Sequence, residues 1–347
     1  TLAFGWAIIG TGMHPHLKVA PAMALVKGAE LVAVYSRSQE RAETFAENHD
    51  AKAAYDSVDE MLKDSRIDAV FVASPNALHA GHTLRAAEAG KHVLAEKPMA
   101  TTIEDSLAMV TGCRAAGVKL GIGFELRFNP GHILARKVIS QGSIGRISLA
   151  QGQWGRGSRG ERFHIPRTDL RGWWEETELM GDASVIVGLG VHVIDLFRFI
   201  LGEEVTEVVA MTDGQTADQP LEHIATMSLR MESGIIAAVS CGRMLPDTLN
   251  DFSVYGTDGR ITGRATVWEA RMGSLQVTSE SVNRKQTYPY DYLANFVDEL
   301  QDFQRAVEED REPSATGEDG LQVTRVTSAV IESARTGRAV KLEPLTV

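Results

Sequence analysis

From Phe4 to Ile122 the chain alternates short apolar runs with helical stretches of mixed polarity, and this alternation restricts the fold more than any other feature. Strand-like runs fall at 4–9, 30–35, 69–73, 92–95 and 119–122, with helical periodicity at 39–49, 58–63, 77–89 and 103–116. Apolar strands joined by amphipathic crossovers bury a sheet on both faces, so a doubly wound parallel α/β sheet is expected. Gly90 and Gly117 each follow a helical stretch, where a left-handed cap residue belongs.

After about Gly123 the texture changes. Longer alternating runs at 147–154, 205–212, 224–231, 234–241 and 251–255 read as antiparallel strands with one packed face, and helical stretches at 292–308 and 320–336 follow. At 347 residues the chain exceeds the usual size of one core. The expected division is an α/β Rossmann domain over 1–122, followed over 123–347 by an α+β domain with an open, mostly antiparallel sheet.

The apolar run 183–201 contains His192, Asp195 and Arg198, so it reads as a buried segment rather than a membrane span. A net charge of −11 repels phosphate backbones and anionic lipid, which argues against nucleic acid or a membrane as partner. Cys113 and Cys241 form no CxxC pair, so neither a disulfide framework nor a metal site is expected. The sequence enters a strand directly after Thr1 without the order of a signal peptide, and with so few cysteines a cytoplasmic location is the expectation.

The first strand ends in Gly10-Thr11-Gly12-Met13, a turn that brings backbone close to a pyrophosphate on the N-terminus of the next helix. Pro15 stands where a third glycine is usual. At the end of the second strand an NAD site places a carboxylate for the ribose 2′-hydroxyl; this chain has Ser36, Arg37 and Ser38, with Arg41 a turn further on. A hydroxyl and guanidinium groups suit a 2′-phosphate, so NADP is preferred over NAD; the alternative is that Arg37 and Arg41 merely solvate a helix start.

Several further motifs accompany this turn: Ala73-Ser74-Pro75-Asn76-Ala77-Leu78-His79, then Gly90-Lys91-His92-Val93-Leu94-Ala95-Glu96-Lys97-Pro98. Arg127-Phe128-Asn129-Pro130, Gly190-Val191-His192 with Asp195, and Tyr255-Gly256-Thr257-Asp258-Gly259 follow. Together they make the whole chain resemble the glucose-fructose oxidoreductase and inositol dehydrogenase family (Gfo/Idh/MocA), and within it the NADP-dependent sugar reductases. The resemblance implies a Rossmann domain followed by an antiparallel-sheet domain whose sheet pairs in homodimers or homotetramers.

It also implies catalytic roles for Lys97 and His192. An ammonium at the carboxyl end of a strand can hydrogen-bond a substrate oxygen, and an imidazole suits proton transfer near neutral pH. The plainer alternatives are a surface lysine paired with Glu96 and a satisfied core histidine. In the family the peptide bond before the proline of Glu-Lys-Pro is often cis. The chain departs from the family at Gly188, where an aspartate four residues before the histidine is usual; Asp182 can substitute or cap a helix, and Asp195 can orient His192 or pair with Arg198.

Cofactor contacts are expected from Gly10, Thr11, Gly12, Met13, Ser36, Arg37, Arg41, Ser74, Pro75, Asn76, His79, Glu96 and Lys97. Substrate contacts are expected from Lys97, Glu125, Arg127, Asn129, Trp154, Arg156, Trp173 and His192, within a region that also holds Arg159, Arg162, His164, Arg167, Arg171 and Trp174. Aromatic walls with polar forks suit sugar rings, whereas clustered arginines also suit an acid group. The leading reading is an NADP-preferring oxidoreductase of a sugar, sugar derivative or cyclitol. The others are a dehydrogenase of a cyclic dihydrodiol or carboxylated semialdehyde, and a non-catalytic NADP-binding regulator.

Overall fold

The computed structural model describes residues 3–159 and 169–345. The chain divides into two compact units, one of Thr1–Phe124, Arg167–Gly181 and Phe296–Leu321, the other of Glu125–Pro166, Asp182–Asn295 and Gln322–Val347.

In the first unit, β1 (Phe4–Ile9), β2 (Ala29–Tyr35), β3 (Ala53–Tyr55), β4 (Ala69–Val72), β5 (His92–Ala95) and β6 (Leu120–Ile122) form one parallel sheet in the order β3-β2-β1-β4-β5-β6. Winding reverses between β1 and β4, and the carboxyl ends of strands at such a switch point form a ligand crevice. Every residue of β1 and β4 is buried, which explains their unbroken apolar sequence. The helices Gln39–His49, Val58–Leu62 and Ile103–Ala116 start where Ser38, Ser57 and Thr102 accept from the backbone N–H of Arg41, Glu60 and Asp105. Gly117 closes the last of these in the left-handed region at φ 68°.

The stretch 296–321 joins this unit because its apolar residues cover the sheet. The Phe303 ring lies 5.7 Å from that of Trp6, both fully buried. Burying a side chain such as Phe303 contributes about 1.5–3 kcal/mol.

The second unit holds β7 (Ile147–Gly155), β8 (Val205–Thr212), β9 (Ile224–Met231), β10 (Ile236–Gly242), β11 (Phe252–Gly256), β12 (Gly259–Arg264), β13 (Arg271–Ser279), β14 (Asn283–Asp291) and β15 (Val340–Lys341). They form one sheet in the order β14-β13-β12-β11-β7-β10-β9-β8-β15, antiparallel throughout except for the β7–β10 pair. The helices Pro130–Ser140 and Val191–Leu201 belong to this unit. The second packs tightly on β7 at Gly152, where a Cβ would lie 3.0 Å from Phe197 and 3.2 Å from Val193. The 183–201 run therefore lies in the core, as the π-helical turn Ile186–Gly190 leading into the helix Val191–Leu201, and among the described residues no helix is long and apolar enough to cross a membrane. In β9 every second residue is exposed, so part of the sheet presents a polar face carrying Thr226 and Ser228, with Met211 of β8 75% exposed beside a groove of about 770 Å³.

His132, on the Pro130–Ser140 helix, is wholly buried against Phe252, and its Nδ1–H donates to the Leu126 carbonyl at 2.7 Å. Burial lowers its pKa from 6.5 to about 4, so the folded chain keeps it neutral while the unfolded chain takes up a proton below 6.5. This stabilisation is present in full above pH 6.5 and is lost between 6.5 and 4, at about 1.4 kcal/mol per pH unit. Urea midpoints measured at pH 7 and pH 5 are expected to fall more for the wild type than for His132→Gln. Equal falls would refute the assignment.

Candidate active site

In the first unit, Gly10 takes φ 114°, and a Cβ there would lie 2.7 Å from the Ala73 carbonyl oxygen, so only glycine lets the turn pass this close to the end of β4. Among the described residues nothing beyond its chain neighbours lies within 4 Å of a Cβ on Gly12, and Met13 and His14 begin the following helix. Free space above a glycine turn and helix N–H groups pointing into it fit a pyrophosphate. Thr11 Oγ1 donates to buried Ser36 Oγ at 3.1 Å, tying the turn to the end of β2. Arg37 and Arg41 are exposed beyond Ser36, and among the described residues neither guanidinium is paired with a carboxylate.

Buried His79 ties two loops of this unit. Its Nδ1 lies 2.9 Å from the Pro98 carbonyl oxygen and its Nε2 2.8 Å from that of Ser74, while desolvation depresses its pKa. The Lys97–Pro98 peptide is cis. Glu96 is held between His14 Nε2 at 2.8 Å and the Lys97 backbone N–H at 3.1 Å, with half-buried Lys97 following the end of β5. Ser74 Oγ lies 2.9 Å from His82 Nδ1, next to buried Asn76. The Asn76 amide donates to the Met180 carbonyl at 3.0 Å. Trp173 stands beside Trp174, ring centroids 5.5 Å apart, in the segment Asp169–Glu175.

In the second unit the turn Glu125–Phe128, the helix Val191–Leu201 and the end of β7 bring four expected residues together, Glu125, His192, Trp154 and Arg156. Glu125 Oε2 lies 3.2 Å from His192 Nδ1, with both side chains only 5% exposed. The His192 ring rests on Trp154 at 4.5 Å and 33°. Trp154 continues to Trp268 at 5.9 Å, and the Arg156 guanidinium covers Trp268 at 4.4 Å while pairing with Glu269 at 3.1 Å.

The other expected residues of this unit are engaged structurally. Arg127 donates to Asp195 through Nε at 2.8 Å and Nη2 at 2.6 Å, and Asn129 caps the helix Pro130–Ser140 by accepting from Gly131 N–H at 2.8 Å. Asp195 also lies 3.3 Å from Arg198, which in turn holds Glu204. Asp182 is exposed, 3.3 Å from Arg335. Of the remaining arginines, Arg159 pairs with Asp247 and Arg171 is exposed. Arg162, His164 and Arg167 lie outside the described residues.

Four residues were missed by sequence reasoning. His14 carried a signal, since it lies inside the glycine-rich turn motif. Trp268, Glu222 and Arg243 carried none. The buried Glu222 carboxylate accepts from the N–H groups of Ser184 and Ile186, anchoring the start of the helical run that leads to His192. Burial pushes its pKa up against those hydrogen bonds. Arg243 donates to Ser184 Oγ at 2.5 Å, and its Nη2 lies 3.4 Å from where a Cβ on Gly188 would be.

Residues 4–124 match the oxidoreductase family with an NAD-binding Rossmann fold, and residues 132–262 match the GFO/IDH/MocA C-terminal domain. The chain belongs to the Gfo/Idh/MocA oxidoreductase family. It is 33% identical to 1,5-anhydro-D-fructose reductase of Ensifer adhaerens over 97% of this chain and 98% of that protein. Among solved structures it is similar to aldose-aldose oxidoreductase from Caulobacter crescentus complexed with glycerol, at 28% identity and TM-score 0.85, covering 98% of this chain and 100% of that one. It is also similar to levoglucosan dehydrogenase in complex with NADH and levoglucosan, at 25% identity and TM-score 0.85, covering 98% and 99%. This family membership agrees with the fold and with an NAD(P)-dependent sugar or cyclitol oxidoreductase.

Proposed function

We propose that the chain is an NADP-preferring oxidoreductase moving a hydride to or from a carbon–oxygen centre of a sugar, sugar derivative or cyclitol, with Lys97 and His192 assisting proton transfer. The observation that carries the nucleotide preference is the end of β2. Ser36 is buried and bonded to Thr11 of the glycine turn, Arg37 and Arg41 are exposed beyond it, and residues 36–38, which follow β2, carry no carboxylate. The levoglucosan dehydrogenase structure holds NADH, and the NADP preference proposed for this chain rests on its own residues 36–41. Similarity to 1,5-anhydro-D-fructose reductase over nearly the whole chain supports a sugar-like substrate.

The bound nicotinamide supplies or accepts the hydride. Gly10, Thr11 and Gly12 hold the pyrophosphate turn, and Ser36 with the two arginines takes the 2′-phosphate. Lys97 donates a hydrogen bond to the reacting oxygen, and His192 gives or takes its proton. Trp154 walls one face of the imidazole and keeps water from it. The test is NADPH-dependent reduction of 1,5-anhydro-D-fructose and a panel of ketoses and polyols, followed at the nicotinamide absorbance band. Turnover with NADPH well above that with NADH is expected, and a Ser36→Asp variant is expected to reverse the preference. No nucleotide binding, or unchanged preference in Ser36→Asp, would end this reading.

A second reading, a substrate bearing an acid group, is favoured by the guanidinium of Arg243 next to Gly188, where the helix offers no carboxylate. Turnover of sugar acids with failure of neutral sugars would select it. The polar sheet face with exposed Met211 is proposed as the contact between copies in a homodimer or homotetramer. Light scattering is expected to give twice or four times the chain mass, and a monomer would refute it.

A further inference from the structure

The helix carrying His192 provides no acid on the preceding turn, because Gly188 stands there, facing Arg243. On the following turn Asp195 is committed to Arg127 and Arg198. The carboxylate at His192 comes instead from Glu125, on a different element, and reaches Nδ1 at 3.2 Å in a buried setting. Trp154 lies against the ring. This contact sets the carboxylate's negative charge directly beside Nδ1.

We propose that Glu125 is the positioning residue of His192. Its carboxylate favours the neutral tautomer with the proton on Nδ1, leaves the Nε2 lone pair to take the proton from a substrate hydroxyl, and stabilises the imidazolium so formed. In the reverse direction the same Nε2 proton is returned to the reacting oxygen. Among the described residues, the charged groups on the elements around His192 are Glu125 at the ring, the Arg243 guanidinium by Gly188, the Arg127–Asp195 pair on the next turn, and Arg156 with Glu269 beyond Trp154. Of these, Glu125 touches the ring nitrogen, at 3.2 Å. Trp154 keeps the imidazole from rotating away from it, so the carboxylate and the indole together select one orientation. A side chain acting through electrostatics should move the pH at which the imidazole titrates, whereas a merely structural one would not.

This inference rests on the proton-transfer role given to His192 above, and the experiment separates the two. The pH dependence of kcat/KM is measured with NADPH and 1,5-anhydro-D-fructose for the wild type, Glu125→Gln, Glu125→Asp and His192→Asn. Loss of the carboxylate is expected to move the histidine limb to lower pH by about one unit and to lower kcat by about 100-fold, with NADPH affinity unchanged and partial recovery in Glu125→Asp. A limb that disappears in His192→Asn but does not move in Glu125→Gln overturns the role of Glu125 alone. A limb that survives in His192→Asn overturns the role of His192 and this inference with it. Should Glu125→Gln fail to fold, or the substrate not turn over, ¹⁵N NMR of the wild-type histidines decides the matter. A neutral His192 protonated on Nδ1 is expected, and a neutral ring protonated on Nε2 overturns the proposal.

Discussion

Lys97→Met is expected to lower kcat by about 10²–10⁴-fold while NADPH binding stays within a few-fold of wild type. Methionine keeps most of the length and apolar stem of a half-buried lysine and removes only its ammonium donors. The backbone around it has anchors of its own. Glu96 is anchored by His14, and the Pro98 carbonyl is anchored by His79, so the turn should hold its course. A lost rate with retained binding marks a group that acts on the reacting oxygen rather than on the nucleotide. Unchanged turnover in this variant would remove Lys97 from the chemistry. Absence of turnover in the wild type, with NADPH still bound, would favour the non-catalytic nucleotide-binding reading. Steady-state kinetics together with NADPH fluorescence titration distinguish these outcomes.

How far the sequence could be read depended on whether a contact was local or distant. The central strands of the first unit were legible because burial on both faces demands unbroken apolar residues, as in β1 and β4. β3 was not, because it has only three half-buried residues at the sheet edge. In the second sheet β14 reads as a polar loop, with residues such as Asn283, Arg284 and Lys285, and becomes a strand only because β13 supplies hydrogen-bond partners. The helix Pro130–Ser140 also went unread, although Asn129 and Pro130 form a cap and first turn that announce it.

The same distinction governs the site. The turn at Gly10 and the residues ending β2 lie within short motifs, so their geometry could be argued from spacing. The environment of His192 could not, since its partners Glu125 and Trp154 come from elements far away in sequence. Sequence reasoning grouped Arg127 and Asn129 with Glu125 as substrate contacts. The fold directs Arg127 toward Asp195, 68 residues further on, turns Asn129 to its own helix, and brings only Glu125 to the histidine. Neighbours in sequence here serve different purposes because each faces a different layer of the unit.

Asp195→Ala is expected to destabilise the second unit by about 3–5 kcal/mol, because Asp195 and Arg127 form a bidentate pair whose side chains are 1% and 5% exposed. Removing the carboxylate takes from the buried Arg127 guanidinium its bidentate anion and from Arg198 its contact at 3.3 Å, although Arg198 keeps Glu204 at 2.6 Å. The pair itself need not be strongly stabilising, since charge burial offsets much of its Coulomb attraction. Replacing both partners, as Arg127→Met with Asp195→Leu, is therefore expected to recover much of the loss that either single change causes. Arg127 also packs against Phe199, its guanidinium 5.4 Å from the ring centre, and the methionine retains part of that contact. Urea denaturation of the four proteins of this cycle measures the coupling. Additive losses would show that the pair does not act as a unit. Because Asp195 and His192 share one helix, the Asp195→Ala protein should also lose activity in proportion to displacement of the imidazole, whereas the double variant should regain stability and rate together.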